Sequence, residues 1–453
     1  MGATTRARSR RRHATPSADI LPADVLQFLF NRFVVSPDLV CRLAACCQTW
    51  RRVIHDCTTA LHIDCETVLD SRAAAIASRR PWLALVALRL DNLSNFRAGL
   101  LCGVNCTGFT HVTTLRLTFT DFNCDEGLRH LLGQMPNVVH LSLDTGPDCL
   151  QVEPLLMFPL DSAMSSRLQT LELNVCAEED DELSSRAELT CSPASLKGLA
   201  RTCSQLTTLS VRAMASVDND VLREFSQLTH LRVRACSRCS WSGLIPLSKL
   251  QTLHIGLASH GFDISESFMT VVLEACLELT ELVMYGIDAI TGRGFDLPDG
   301  VGCRLHSLAL NNCIGLTNAG IQAIACHPLE KFAIEETDIQ CHGDEPPSDL
   351  ITTAGIVELV VRCRSLRHLN IENDYLDEPT AEQLHSIVEG CPLLESLDCY
   401  TSLDEDSLPL LHQGGINQPC AAGPLGRQVR LWFADRLDVW DPIERNDRGV
   451  GWG

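Results

Sequence analysis

Residues 303–325 have the sequence CRLHSLALNNCIGLTNAGIQAIA, and the spacing of their leucines decides the fold. Leu305, Leu308 and Leu310 follow the pattern L-x-x-L-x-L. The last two leucines lie two residues apart, so they face the same side of a β-strand. The stretch therefore predicts a short strand with one buried face.

The same pattern occurs twelve times along the 453-residue chain, with an apolar residue at each of its three positions every time. Successive copies begin 22 to 38 residues apart. The first positions are Leu85, Val112, Val138, Leu168, Leu206, Leu228, Leu250, Leu279, Leu305, Leu329, Leu366 and Leu394. A recurring period of this length is typical of a repeat protein.

Helical patterns lie between the strand patterns. Ile356, Leu359, Val360 and Cys363 are spaced i, i+3, i+4 and i+7, which places them on one face of a helix. Sets with the same spacing run from Leu196 to Cys203, from Met269 to Cys276 and from Leu384 to Cys391. Units of strand, turn and helix predict an α/β leucine-rich-repeat solenoid over residues 81–402, a horseshoe with parallel strands on its concave face and helices outside.

The 23 cysteines follow the repeats. One column, three residues before the strand pattern, contains Cys203, Cys276, Cys326, Cys363 and Cys391. Large apolar residues occupy this position in other repeats, so we predict that these thiols are buried as small hydrophobic groups. Cysteines spread one per repeat cannot converge on one ion, and the local pair Cys236 and Cys239 lacks a second pair of ligands. We expect no metal site and no cofactor.

Residues 308–325 carry a family resemblance. They fit L-x-L-x-x-C-x-x-L-T-x-x-G-I-x-x-I-A, which resembles the cysteine-containing leucine-rich repeat. That subclass typically accompanies an F-box in substrate receptors of cullin-type ubiquitin ligases, so the resemblance implies such a receptor. Within it, Thr317 is predicted to cap the N-terminus of the following helix.

Residues 20–56, ILPADVLQFLFNRFVVSPDLVCRLAACCQTWRRVIHD, resemble the F-box motif. The resemblance implies a small all-α module that docks on a Skp-type adaptor and, through it, on a cullin scaffold. The residues to which it assigns adaptor binding are Leu21, Pro22, Val25, Leu26, Leu29, Phe30, Phe33, Leu39 and Trp50. Their spacing independently indicates a helix with a wide apolar face. The alternative is a helical cap on the open end of the solenoid.

Six further segments complete the predicted organisation. Residues 1–19 are expected to form a disordered basic tail, residues 57–80 a connecting or capping segment, and residues 403–428 a linker. Residues 429–453 form a Trp-rich cap or tail, in which alternating Val429, Leu431 and Phe433 predict a last strand. Acidic or Pro-containing insertions at 177–188 and 336–349 are predicted to be exposed loops.

A basic group of side chains is the predicted substrate-binding site. Arg212, His230, Arg232, Arg234 and His254 are expected on the outward face of adjacent strands. Arginine pairs bidentately with carboxylates and phosphates, so the group suits an acidic or phosphorylated protein substrate. Later strands carry Glu281, Glu335, Glu372 and Asp398 instead. The alternative is a solvated face whose charges neutralise one another.

The overall charge and hydropathy argue against two classes of protein, those that bind nucleic acid and those that span a membrane. A formal charge of −20 disfavours nucleic acid as the main partner, because phosphate binding needs a basic footprint. No apolar run approaches the roughly 18 residues that a membrane span needs. An N-terminus without a secretory pattern predicts a reducing, cytoplasmic and/or nuclear location.

These patterns favour one function and leave two others open. The leading hypothesis is a substrate-recognition subunit of an SCF-type ubiquitin ligase, with no catalytic residues of its own. The second is a protein-binding leucine-rich-repeat scaffold or inhibitor outside the ubiquitin system. The third is an enzyme with a Cys–His pair, which would require a reactive cysteine in a cleft, off the repeat positions.

Overall fold

A computed structural model describes residues 60–64, 85–93, 109–119, 132–133, 135–145, 164–175, 192–212, 217–234, 236, 241–256, 266–287, 290–297, 304–313, 315–335, 350–373, 376–400 and 430–434. The basic tail, the F-box-like module with its adaptor-binding residues, both insertions and the linker lie outside the described residues, as do Cys239 and residues 435–453.

The chain divides into two compact units, Met1–His140 and Leu141–Gly453. In the first unit the described strands are β1 (Ala60–Asp64), β2 (Ala87–Leu93) and β3 (Thr114–Phe119). They pair in parallel in chain order. β1 lies in the connecting segment 57–80, where the repeat pattern predicts no strand.

The second unit contains the strands that carry the candidate site. They are β4 (His140–Thr145), β5 (Thr170–Val175), β6 (Thr208–Arg212), β7 (His230–Arg234), β8 (Thr252–Gly256), β9 (Glu281–Tyr285), β10 (Ser307–Asn311), β11 (Lys331–Ala333), β12 (His368–Ile371), β13 (Ser396–Tyr400) and β14 (Arg430–Ala434). From β5 to β14 each strand pairs in parallel with the next. The strand predicted around Leu431 is therefore present as β14.

Parallel neighbours that follow one another in the chain need a crossover after every strand. The described crossovers contain α1 (Pro193–Thr202), α2 (Asn219–Glu224), α3 (Glu266–Ala275), α4 (Asn318–Ile324), α5 (Thr353–Arg362) and α6 (Ala381–Gly390), together with 3₁₀ turns at Trp241–Gly243 and Arg293–Phe295. Thr317 caps α4 as predicted, because its hydroxyl accepts the Gly320 N–H at 3.2 Å. The fold is an α/β leucine-rich-repeat solenoid, and this prediction is confirmed.

The core consists of the three apolar positions of each repeat. In all twelve repeats these side chains are at most 7% exposed, and most are at 0–2%. A backbone turn precedes most of the described strands; before β7 the Leu228 N–H donates to the Phe225 carbonyl at 3.1 Å. Burying one such side chain stabilises the fold by roughly 1.5–3 kcal/mol. The repeats therefore supply the cohesion that the scarce aromatic residues cannot.

Polar side chains join successive crossovers. The Glu266 carboxylate, at the start of α3, accepts backbone N–H bonds from Thr291, Gly292 and Gly294 in the next crossover. The Asn318 side-chain oxygen accepts the Thr352 N–H at 3.0 Å. Asn318 thereby ties α4 to the start of α5, although a 14-residue stretch, 336–349, separates these repeats in the sequence.

The cysteine column is buried at four of its five positions. Cys203, Cys276, Cys363 and Cys391 are 1–2% exposed, and burial raises the thiol pKa of the first three to about 11 and that of Cys391 to about 12. A thiol held protonated is a poor nucleophile and a poor metal ligand. These four cysteines pack as apolar groups, as predicted.

The prediction is wrong for Cys326, which is exposed. Past α4, the Cys326 and His327 N–H groups still donate to the Ala323 and Ile324 carbonyls at 3.2 and 3.0 Å, so helix-like turns continue to His327. The turn that Cys363 makes to Leu366 is made here by His327, whose carbonyl accepts the Leu329 N–H at 2.8 Å. His327 is therefore buried in place of the cysteine, and burial lowers its pKa.

Thiol labelling tests this assignment. In the native protein at neutral pH, maleimide should label Cys326 readily, because it is exposed, and should spare Cys363 and Cys391, because they are buried and protonated. Denaturant should make all three react alike. Peptide mapping by mass spectrometry distinguishes the sites, and equal labelling of Cys326 and Cys363 in the folded protein would contradict the packing.

Substitution of Gly320 tests the close approach of successive crossovers. A Cβ at this position would overlap the Thr291 carbonyl and lie 2.7 Å from the Gly292 Cα, and both are backbone atoms. We expect Gly320→Ala to lower the free energy of unfolding by about 1–3 kcal/mol, the usual cost of overpacking. Gly133→Ala is the matched control, since a Cβ there meets nothing within 4 Å. Chemical denaturation measures both, and equal stabilities for the two variants would rule out the constraint.

Candidate functional site

The outward side chains of β6–β13, here called the strand face, form the candidate site. Residues in these strands alternate between the core and the outward face, with burial patterns such as that of β7, in which Leu231 and Val233 are buried and the residues between them are not. Because parallel register aligns equivalent residues of successive strands, outward side chains form rows across the strands. The chemistry of the face is set by these rows.

All five predicted basic residues come together at one end of the face. β7 contributes His230, Arg232 and Arg234, which share the outward side. Register places Arg212 of β6 opposite Arg234, and His254 of β8 opposite Arg232. The arrangement that the sequence predicted is present, while substrate binding by these residues stays a prediction.

Arg232 is held by its neighbour on β8. Its Nε and Nη2 donate to His254 Nδ1 at 3.1 and 2.9 Å, so this ring nitrogen acts as an acceptor. The proton of the imidazole then lies on Nε2, which donates to Glu281 Oε1 at 3.2 Å. This hydrogen bond from His254 holds the pKa of Glu281 below its usual range. Arg232 is thus oriented with its remaining N–H donors available to a ligand.

Glu281 was expected among the acidic residues of the later strands, yet it borders the basic group. His254 consequently faces a carboxylate and a guanidinium at once, and its role is to position Arg232 rather than to add positive charge. Sequence spacing could not reveal this contact, because it depends on which side chain of β9 lies beside β8.

A glycine lets Arg234 reach across a strand. Register aligns Arg234, Gly256 and Tyr285 on β7, β8 and β9. The Arg234 guanidinium lies over the Tyr285 ring, with its central carbon 4.9 Å from the ring centroid, which is a cation–π geometry. A Cβ on Gly256 would lie 3.2 Å from Arg234 Cγ and crowd this path. Reading the outward positions as rows would have identified Gly256 and Tyr285 as members of the site.

Register places Arg212 opposite Arg234, while the Arg234 side chain extends away from β6 toward Tyr285. Among the described residues, Arg212 has no hydrogen-bond or ion-pair partner. Arginine side chains on adjacent strands attract carboxylates, with which a guanidinium pairs bidentately. The basic end of the face therefore has the electrostatic character of an anion-binding surface.

One row of small side chains crosses the middle of the face. This row, here called the central row, runs in register over seven strands through Arg232, His254, Val283, Ala309, Ala333, Asn370 and Asp398. Its three middle members are small and lie between charged ends. Val283 and Ala309 are half-buried, whereas Ala333 is 2% exposed. The middle of the central row is therefore uncharged and apolar.

The far end of the face is acidic. Asp398 lies near Glu372 and Glu335, and burial together with these two carboxylates raises its pKa to about 7. Glu335 accepts the Asn370 side-chain N–H at 2.7 Å. Three carboxyl groups that repel one another attract a cationic group of a partner.

The described residues contain no group of three or more His, Cys, Asp or Glu side chains arranged to hold a metal ion.

Among the described helices, none has the length and apolar character needed to cross a bilayer.

No family model matches the chain. The solved structures to which it is similar include the crystal structure of the Rad7 and Elc1 complex in yeast, with a TM-score of 0.42 and 17% sequence identity, covering 83% of this chain and 81% of that chain. A likeness of this degree carries no argument about function, which is inferred here from the residues of the chain itself.

The pKa of Asp398 predicts how stability depends on pH. The folded protein keeps this carboxyl protonated to about pH 7, whereas an unfolded aspartate loses its proton near pH 4. The folded state binds more protons between these values, so the free energy of unfolding should fall as pH rises from about 4 to 7. We expect Asp398→Asn to remove a slope on the order of 1–3 kcal/mol over this window.

Denaturation at several pH values measures that slope, with the exposed Asp377→Asn as the control. If Asp398→Asn and Asp377→Asn follow the same pH profile, the repulsion among the three carboxyl groups is not present in solution.

Proposed function

We propose that the chain is the substrate-recognition subunit of an SCF-type ubiquitin ligase. In this proposal, residues 20–56 dock on the Skp-type adaptor and through it on the cullin, while the strand face binds a protein substrate for ubiquitination. The chain would itself be non-catalytic and would act in the cytoplasm and/or the nucleus.

The observation that carries the recognition role is the strand face itself. It presents aligned, chemically distinct side chains over at least seven consecutive strands. A continuous outward surface of this kind suits a protein segment, whereas a small-molecule site is usually a concave pocket. The basic end matches the expectation of an acidic substrate, because three arginines lie on two adjacent strands in register.

The adaptor role is supported by the sequence alone. Leu21-Pro22 opens the F-box-like segment, Trp50 closes it, and the apolar residues between them have helical spacing. The repeat that contains Cys313 and Thr317 belongs to a type that the resemblance associates with an F-box. The non-catalytic role rests on the same resemblance, which implies a receptor that has no catalytic residues of its own.

Co-expression with a Skp-type adaptor tests the proposal. The intact chain should co-purify with the adaptor, and the triple variant Leu21→Ala/Pro22→Ala/Trp50→Ala should lose it, because the apolar contact would be removed. Arg232→Glu is the matched control: it changes the strand face and should keep the adaptor. Circular dichroism of the variants separates lost docking from lost folding.

An intact, folded chain that does not retain the adaptor would contradict the proposal. The second hypothesis, a protein-binding scaffold or inhibitor outside the ubiquitin system, would then account for the strand face without an adaptor.

A further inference from the structure

We propose that the central row binds an extended peptide segment of a partner protein that runs across the strands, with acidic residues at one end, apolar residues in the middle and basic residues at the other end. This inference deepens the proposed recognition role by naming the chemical class of the substrate, and it rests on that role. The geometry that carries it is the order of charges along the row: basic on β7, apolar on β9–β11 and acidic on β13.

The basic end selects carboxylates. Arg212, Arg232 and Arg234 lie on the adjacent strands β6 and β7, Glu172 lies on β5, and Glu281 lies on β9. Three guanidinium groups and two carboxylates leave a net charge of 3 − 2 = +1, which suits singly charged carboxylates better than a phosphate dianion. Because His254 already holds Arg232 in place, a ligand carboxylate meets a guanidinium that loses little side-chain entropy on binding.

The acidic end selects a cation. Asn370 donates its side-chain N–H to Glu335 at 2.7 Å and pairs in register with Asp398. Glu372 follows Asn370 by two residues, so the three carboxyl groups lie on or just after neighbouring strands and repel one another. A lysine or arginine of the ligand would relieve this repulsion, and it would favour the ionised form of Asp398. The repulsion among the three carboxyl groups is unfavourable when no ligand is bound, and it therefore makes the acidic end selective for a cation.

The middle of the row determines the spacing between the two charged ends of the ligand. Six interstrand steps of about 4.8 Å separate Arg232 from Asp398 by about 29 Å along the sheet. An extended peptide covers that distance with about nine residues at about 3.3 Å each. The small side chains of Val283 and Ala309 give room for apolar side chains of the ligand between the two ends.

The test uses the full-length protein and a fluorescently labelled peptide, Glu-Glu-Ser-Leu-Ala-Leu-Ala-Ser-Gly-Lys-Lys, together with its reversed sequence, because the row does not determine the direction of the peptide. Fluorescence anisotropy at low salt measures the affinity of both, and the tighter binder is used further. The control peptide has the same composition with all four charged residues grouped at one end. We expect it to bind roughly tenfold more weakly, because one end of the row then meets no partner.

Variants of the protein test each part of the row separately. Arg232→Glu and Asp398→Lys should each weaken the spaced peptide roughly tenfold, since each places like charges together. Ala309→Gln places a bulky polar side chain in the middle of the central row and should weaken peptide binding severalfold. Val271→Gln, on the exposed surface of α3, should leave peptide binding unchanged. Thermal unfolding of every variant confirms that it is folded.

A rescue experiment distinguishes recognition from damage. A peptide in which lysines replace the glutamates should bind the folded Arg232→Glu variant more tightly than it binds the wild type. Equal affinity of the spaced and grouped peptides, or unchanged affinity of the Asp398→Lys variant, would overturn the proposed ligand. Since these measurements need no adaptor, a chain that retains the adaptor but not the peptide contradicts this inference alone, and the reverse result contradicts the adaptor role alone.

Discussion

Burial of apolar side chains between neighbouring repeats is the interaction on which the rest of the structure depends. A single strand–helix unit cannot cover its own apolar edge, so each repeat is stable only against the next one. Twelve repeats place their three apolar positions in the core, and the exposed fraction of these side chains is at most 7%. Because neighbouring repeats share their buried side chains, the register of the strands leaves little freedom to the residues that face outward.

The outward rows are a direct consequence of this constraint. A slip of one residue in any strand would move its apolar side chains out of the core, so the register is strongly specified. The same register brings Arg232 beside His254, to which it donates hydrogen bonds, and places Arg212 opposite Arg234 although both carry a positive charge. The energy that holds like charges together comes from the core, and the outward face can therefore keep an arrangement that is unfavourable until a ligand binds.

The residue at which a helix turns into the next strand can differ from one repeat to another. Most helices end at a buried cysteine or a large apolar residue that turns the chain into the next strand. After α4, hydrogen bonds to the carbonyl three residues earlier continue to His327, and the turn moves from Cys326 to His327. The imidazole fills the space of a thiol because its Nε2–H donates to the Phe295 carbonyl at 3.0 Å and its ring meets the Phe295 ring edge-on. Packing thus depends on the position that a side chain occupies more than on its chemical type.

The amino-acid sequence by itself determined the solenoid, its strands and the basic group, because spacings of two residues in strands and three to four in helices are local properties of the chain. It also predicted the Thr317 cap, which depends on contacts within one turn. Only the tertiary structure decided that Glu281 faces His254, that Gly256 opens the path from Arg234 to Tyr285, and that Cys326 lies outside the core. The first two depend on the alignment of one repeat with another, and that alignment is set by packing between distant segments rather than by the order of residues within either one. The exposure of Cys326 depends on where the chain leaves α4, and the buried His327 decides this by packing against Phe295.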